Sequence, residues 1–425
     1  MEIKGVSKDK ECVLLISHSN YMIKSAGVEK SLKDISNVMR QNGIHVIHIF
    51  AIIEINKIVS KIGIHKQYIG INIDDKFYGA DYMHNLKNCV LRIEKEKGFI
   101  CRGIQLHHLH GWDLELLGTG LMGLELPIRF FVHDFCSVCE NLYQDEGNGK
   151  VCRKRIEAPS ISKCRDCVFG EYNLNWYKAC HLFFESIREN VTGIVAPSRV
   201  TLSEWLNIYN DLFQEGIVRS HLQMSGSYKK YRQNEKIRIA FIGSALEHKG
   251  FCEWKAVVSA FKEDYELYYF GNSDIPMQNV RKRYVDFQKN TMTMEMALRE
   301  DNIDMAFLWS TSMETFSYTC YESYAAGCYI LTNTKSGNIA DFVLQNKAGE
   351  VFEDISECLE YLRKQEQVCS NIDEYCTRSF PLNLEPNTDI SMLTFAGTGR
   401  KNNTISSKRT ITPVSLVYKM FRGKY

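Results

Sequence analysis

Residues 12–17, CVLLIS, form a short apolar run that ends in a polar residue, and a turn containing Ser25, Ala26 and Gly27 follows. Apolar residues then recur at Val28, Leu32, Ile35 and Met39, the three- and four-residue steps of one helix face. Gly43 stands where a helix C-cap would, and IHVIHIF at 44–50 predicts the next strand. A strand, a helix and a strand within about 40 residues make a βαβ unit and predict a parallel sheet.

The alternation continues with strands at 103–111, 128–135 and 193–198 and helices at 114–127, 176–190 and 199–209. A polar stretch, 225–236, reads as a linker. The pattern then restarts, with strands at 237–244, 265–272, 306–310 and 328–333 and helices at 249–262, 319–327 and 355–367. The expectation is an α/β chain of two parallel-sheet halves, 1–228 and 236–370. The first carries a Cys-rich insertion at 136–167, and 371–425 shows no period and reads as an irregular, basic tail.

Composition narrows the function classes. The 425 residues are 44% hydrophobic and 24% charged, an ordinary globular mix able to bury large cores. Lys+Arg (52) and Asp+Glu (51) balance to +1, which argues against a nucleic-acid binder. There is no apolar run of about 18 residues, hence no expected membrane helix. The start, MEIKGVSKDKECVLLI, lacks a signal-peptide pattern, so the expected location is the cytoplasm. Fifteen cysteines, an odd number, many inside apolar runs, then predict reduced thiols. Residues 400–425 hold seven Lys and Arg, no Asp or Glu, and interleaved apolar residues. They suit either a docked terminal helix or peripheral contact with anionic lipid on the inner face of a membrane.

Several residues could carry chemistry. Glu314 and Glu322, with seven residues between them, flank a helix start at which Phe316, Ser317 and Tyr318 offer backbone N–H groups to an anion. The alternative is two solvated acids, common at helix starts. FIGSALEHKG (241–250) places Gly243 and Lys249 in a loop after a strand, where ligands bind in such sheets; the alternative is a solvated lysine. Gly27 before its helix would let the backbone approach a ligand, or simply make a tight turn. His133 and Asp134 end a strand at the same edge. Cys139, Cys152, Cys164 and Cys167, with Cys136, fall within 32 residues as two CxxC pairs, 136/139 and 164/167, with Cys152 between them, which resembles the pattern of a structural zinc site. Unligated thiols, a redox pair or an iron–sulfur cluster are the alternatives.

Taken in order, these pieces resemble the family-4 glycosyltransferases of GT-B fold: AGVEK at 26–30, His133–Asp134, APS at 196–198, Gly243 with Lys249–Gly250, ETFSYTCYE at 314–322, AAG at 325–327 and SGNIADFV at 336–343. A subset of that family is similar also in its Cys cluster after the His-Asp pair. The resemblance implies two Rossmann-like domains with parallel sheets facing across a cleft. It implies retaining transfer of a sugar from a nucleoside diphosphate sugar to a glycan or lipid-linked acceptor, with no cofactor or metal in the chemistry. By the same resemblance Glu314 holds the donor sugar hydroxyls, Glu322 the ribose and Lys249 the diphosphate. Gly27 approaches that diphosphate, and His133 contacts the sugar. One departure stands out: Ser244 occupies a position where that family commonly has Arg. A binding protein of the same fold with an impaired diphosphate site is the alternative.

Overall fold

The computed structural model describes residues 10–395, except 25, 62–65, 142–151, 153–156, 233, 275–276 and 286–291. The first half is built on eight strands: β1 (Lys10–Ser17), β2 (His45–Ala51), β3 (Tyr68–Ile73), β4 (Lys76–Tyr82), β5 (Phe99–Leu106), β6 (Ile128–Phe131), β7 (Val191–Ala196) and β8 (Ile217–Val218). Their order is β4-β3-β2-β1-β5-β6-β7-β8. All pairs are parallel except those made by β3, which is antiparallel to β2 and β4. Helices α1 (Gly27–Gln41), α2 (Ile53–Lys61), α3 (Leu86–Lys97), α4 (Leu114–Leu124), α5 (Gly170–Ile187) and α6 (Arg199–Ile208) connect them. The sheet is buried on both faces, which is why β1 is a continuous apolar run: Cys12, Leu14 and Ile16 face one core, Val13 and Leu15 the other. α1 lays Leu32, Ile35 and Met39 on the second core. It ends at Gly43, whose left-handed φ of 77° lets Ile44 N–H donate to Met39 O.

Short strands β9 (Leu222–Ser225) and β10 (Tyr228–Lys229) lead into the second half. There β11 (Arg238–Ile242), β12 (Glu266–Gly271), β13 (Val280–Tyr284), β14 (Met305–Phe307), β15 (Tyr329–Asn333) and β16 (Gly349–Phe352) form an all-parallel sheet in the order β13-β12-β11-β14-β15-β16. Helices α7 (Phe251–Phe261), α8 (Met294–Glu300), α9 (Tyr318–Ala325), α10 (Asn338–Asn346), α11 (Ile355–Arg363) and α12 (Gln365–Cys376) accompany it. β11 again feeds two cores, Ile239 and Phe241 on one side, Ala240 and Ile242 on the other.

Three expectations are corrected. The run 103–111 is not all strand; β5 stops at Leu106, and its histidines lie in the loop beyond. The stretch read as a linker, 225–236, contains β10, which pairs with β17 (Ser379–Phe380). Residues 371–395 are not irregular. They complete α12, form β17 and β18 (Asn383–Pro386), and return to the first half, where β18 itself pairs with β9. Leu393 and Phe395 enter the core beside Val13, Leu15 and Phe131. The Phe395 ring occupies the space over Gly103, where a Cβ would come within 2.3 Å of it. Arg219 donates to the carbonyls of Asn387 and Asp389, and Arg129 to that of Thr394 at 2.6 Å. No segmental period marks 387–395 because it fills a gap in another element's core. The basic stretch 400–425 lies outside the described residues. Among the described residues no helix is long and apolar enough to cross a membrane.

Candidate active site

The carboxyl ends of the two sheets meet. Thr315, beyond β14, donates from Oγ1 to the carbonyl of His133, beyond β6, at 2.5 Å. Its own carbonyl accepts from Ser198 Oγ at 2.9 Å and Thr201 Oγ1 at 3.1 Å, at the start of α6. Phe316 and Tyr318 pack against the ring of His221, which follows β8.

On the second half, the turn after β11 is shaped by two glycines. Gly243 has φ 116°, and a Cβ there would touch only Thr319 Cγ2, at 4.0 Å. Gly250 has φ 84°, and a Cβ would lie 2.2 Å from the Trp309 carbonyl, so only glycine fits. Thr311 N–H donates to His248 O at 2.9 Å, which fixes the neighbouring Lys249 beside the end of β14. Lys249 Nζ consequently lies 2.5 Å from Glu314 Oε1, and Ser310 Oγ donates to the same oxygen at 2.8 Å. Gly337 packs so closely under Glu314 that a Cβ would stand 2.6 Å from its carbonyl. Ser317 caps α9, its Oγ accepting from Cys320 N–H at 3.3 Å.

On the first half, Gly27 is the first residue of α1, and nothing lies within 4 Å of a Cβ built there. The preceding loop is tied down by Glu29, whose Oε1 accepts from Ser19 Oγ at 2.5 Å and lies 3.3 Å from His18 Nε2. Burial opposes ionisation of Glu29, but those hydrogen bonds outweigh it and hold the carboxyl down to about 2. Lys30 Nζ sits 3.9 Å from the centroid of the Tyr318 ring and 3.6 Å from Asp34. It also acts on Glu322, in the second turn of α9. Burial raises that carboxyl to about 7 and Lys30 counters it.

Lys249 and Glu314 are thus in direct contact, and Phe316 and Tyr318 face the first half. Gly243 borders the start of α9, and His133 joins through Thr315. Gly27 stands at the start of α1 with open space where a side chain would be. Reading the sequence missed Thr315, Lys30, Arg219, His107 and His221; for Thr315 and His107, polar residues past parallel strands were the available signal.

The HDFC segment is closed by hydrogen bonds. His108 Nδ1 accepts from His110 N–H at 3.0 Å, so Nε2 carries the proton given to Asp134 at 2.9 Å. Asp134 Oδ1 in turn accepts from Cys136 N–H. Among the described residues these three are the His, Cys, Asp and Glu set whose ligand atoms lie within 4.8 Å of one another. The bonds just named account for the arrangement without an ion. Cys136 is buried, and burial pushes its thiol well up. Cys152, Cys167 and Cys164 lie within electrostatic reach of Cys139. Their backbone is tightly turned: Cys167 N–H donates to Cys164 O, and a Cβ on Gly170 would fall 2.5 Å from that same carbonyl.

No family model and no curated relative matches the chain. Solved structures do. HepE of Anabaena in complex with UDP-glucose is similar at 10% identity and a TM-score of 0.50, over 86% of this chain and 92% of that one. Sucrose-phosphate synthase of Thermosynechococcus elongatus matches at 11% identity and 0.51, over 86% and 94%. A glycosyltransferase of Rickettsia africae matches at 12% and 0.51, over 88% and 95%. Two Rossmann-like domains, the first sheet parallel but for β3 and the second wholly parallel, meeting at their carboxyl edges, together with those likenesses, identify the fold as GT-B.

Proposed function

We propose that the protein is a retaining glycosyltransferase that moves a sugar from a UDP- or GDP-linked donor to a polysaccharide or glycolipid acceptor. The observation that carries this reading is the Lys249–Glu314 pair beside the start of α9, inside the cleft. A departing diphosphate gathers negative charge. A lysine and a helix N-terminus aimed at it act most strongly in the transition state, so these groups take the place a divalent ion holds elsewhere. Glu314, paired with Lys249 and oriented by Ser310, is suited to accept from sugar hydroxyls, and Glu322 from the ribose. The similar HepE structure contains UDP-glucose, which supports a nucleotide-sugar donor. Hydrolysis and transfer assays with UDP-, GDP- and ADP-sugars test the proposal. Glu314→Ala and Glu322→Ala should keep the fold and abolish transfer, and wild-type turnover in both would refute it. Ser244 favours a second reading, binding without turnover, because it leaves that side of the cleft one cation short. Nucleotide binding with no transfer to any acceptor would decide for it.

Cys139, Cys152, Cys164 and Cys167 are the proposed ligands of one structural zinc ion. The two CxxC pairs with Cys152 between them support this reading, since four thiolates favour a closed tetrahedral site, and Cys152, Cys164 and Cys167 lie near enough to Cys139 to act on its thiol. Elemental analysis should give about one zinc per chain, and a coloured sample would instead indicate iron and sulfide.

A further inference from the structure

Gln105, His107 and His133 are buried side chains at the carboxyl end of the first sheet, and the chemistry above uses only the last. Gln105 Nε2 donates to the carbonyl of Leu393 at 2.6 Å. A carbonyl only accepts, so the amide nitrogen must face the returning segment and Oε1 must face inward. Oε1 lies 3.1 Å from His107 Nε2 and cannot donate, so that nitrogen carries the His107 proton. A neutral imidazole has one N–H, which leaves His107 Nδ1 as an acceptor. His133 Nε2, 2.8 Å away, must therefore be the donor. The single proton of His133 is committed to His107. Its Nδ1 has no hydrogen bond to any described residue, and His133 borders a narrow recess also lined by Arg219 and His221. Burial keeps both rings neutral at ordinary pH; His133 is held down to about 4.

We propose that Gln105 and His107 are positioning residues that lock His133 as its Nε2–H tautomer, so that His133 meets the cleft only as a hydrogen-bond acceptor. The inference about the ring stands on the buried chain alone; its meaning for the donor rests on the transferase reading. An acceptor there takes a sugar hydroxyl and repels a carboxylate. The donor class it suits is a neutral hexose, and a uronate is disfavoured because two acceptors would face each other.

The test is nitrogen NMR of full-length protein with ring-labelled histidine, using His133→Gln to assign the signals. Without any nucleotide, His133 should show a pyrrole-type Nε2 and a pyridine-type Nδ1. The opposite tautomer in the wild type overturns the proposal. In Gln105→Leu and His107→Leu the signature should shift toward a mixture, which a merely structural role would not produce. The preference for a neutral hexose donor over a uronate, as a kcat/KM ratio, should fall about tenfold or more in Gln105→Leu. An unchanged ratio overturns the link to specificity. If no donor is turned over while the Nε2–H tautomer is found, the transferase reading fails and the tautomer assignment stands.

Discussion

Replacing Lys249 by Met separates what this residue does for the fold from what it does for a ligand. Its side chain is 39% exposed and that of Glu314 13%. An ion pair with that much solvent contact contributes about 0–1 kcal/mol. Met keeps the apolar stem, and Ser310 still donates to Glu314. The melting temperature should therefore move by about 4 °C or less. A diphosphate in the cleft would lose a charged contact of about 1.5–3 kcal/mol, so its Kd should rise about 10- to 150-fold. Calorimetric titration with UDP, GDP and ADP, paired with a thermal melt, reads both quantities. Unchanged affinity for the nucleotide that binds would show that another cation, such as Lys30 over the Tyr318 ring, serves the diphosphate. A melting loss much larger than stated would show that the pair is structural, and either result refutes the reasoning.

Three further outcomes are expected. Gly337→Ala forces a left-handed φ of 61° on a residue with a Cβ, at a cost of about 1–2 kcal/mol, and pushes on Glu314; transfer should fall far more than stability, and full turnover would contradict that close packing. Leu393→Ala should cost about 2–5 kcal/mol in urea unfolding, since the side chain is fully buried in the first half's core; a loss under about 1 kcal/mol would show that the returning segment is loosely held. The half-buried Glu322 carboxyl, raised from 4.5 to about 7 by desolvation, binds its proton in the folded state across a window where the unfolded chain has lost it. Stability should therefore decline as pH rises from about 4.5 to 7, and Glu322→Gln should flatten that slope; an unaltered slope assigns the dependence to other groups.

The sequence made most of the scaffold legible where an element buries a regular face. β1, α1 and β2 carried their periods openly, and the Glu314–Glu322 spacing survives as a loop and a helix turn at the sheet edge. The β3–β4 hairpin also had a signal, Ile69, Ile71 and Ile73 in alternation before Asp74 and Asp75, both at positive φ. Without a glycine in the turn it passed unmarked. β8 had none: its two residues, Ile217 and Val218, are exposed, so no pattern announced that Arg219 and His221 would follow a strand into the cleft. The closeness of Lys30 to Tyr318 depends on how two halves meet, which local periodicity does not encode.

The returning segment bears on how the protein is made. The second half occupies one unbroken stretch and can condense as soon as its strands have left the ribosome. The first is an interrupted domain. While only residues up to about 228 have emerged, the surface over Gly103 and the amide of Gln105 have no cover, and Arg129 and Arg219 lack their carbonyl acceptors. Synthesis from the N-terminus usually lets the leading domain finish first. Here the leading domain stays open until Leu393 and Phe395 arrive, so the half begun first on the ribosome is the last to be completed.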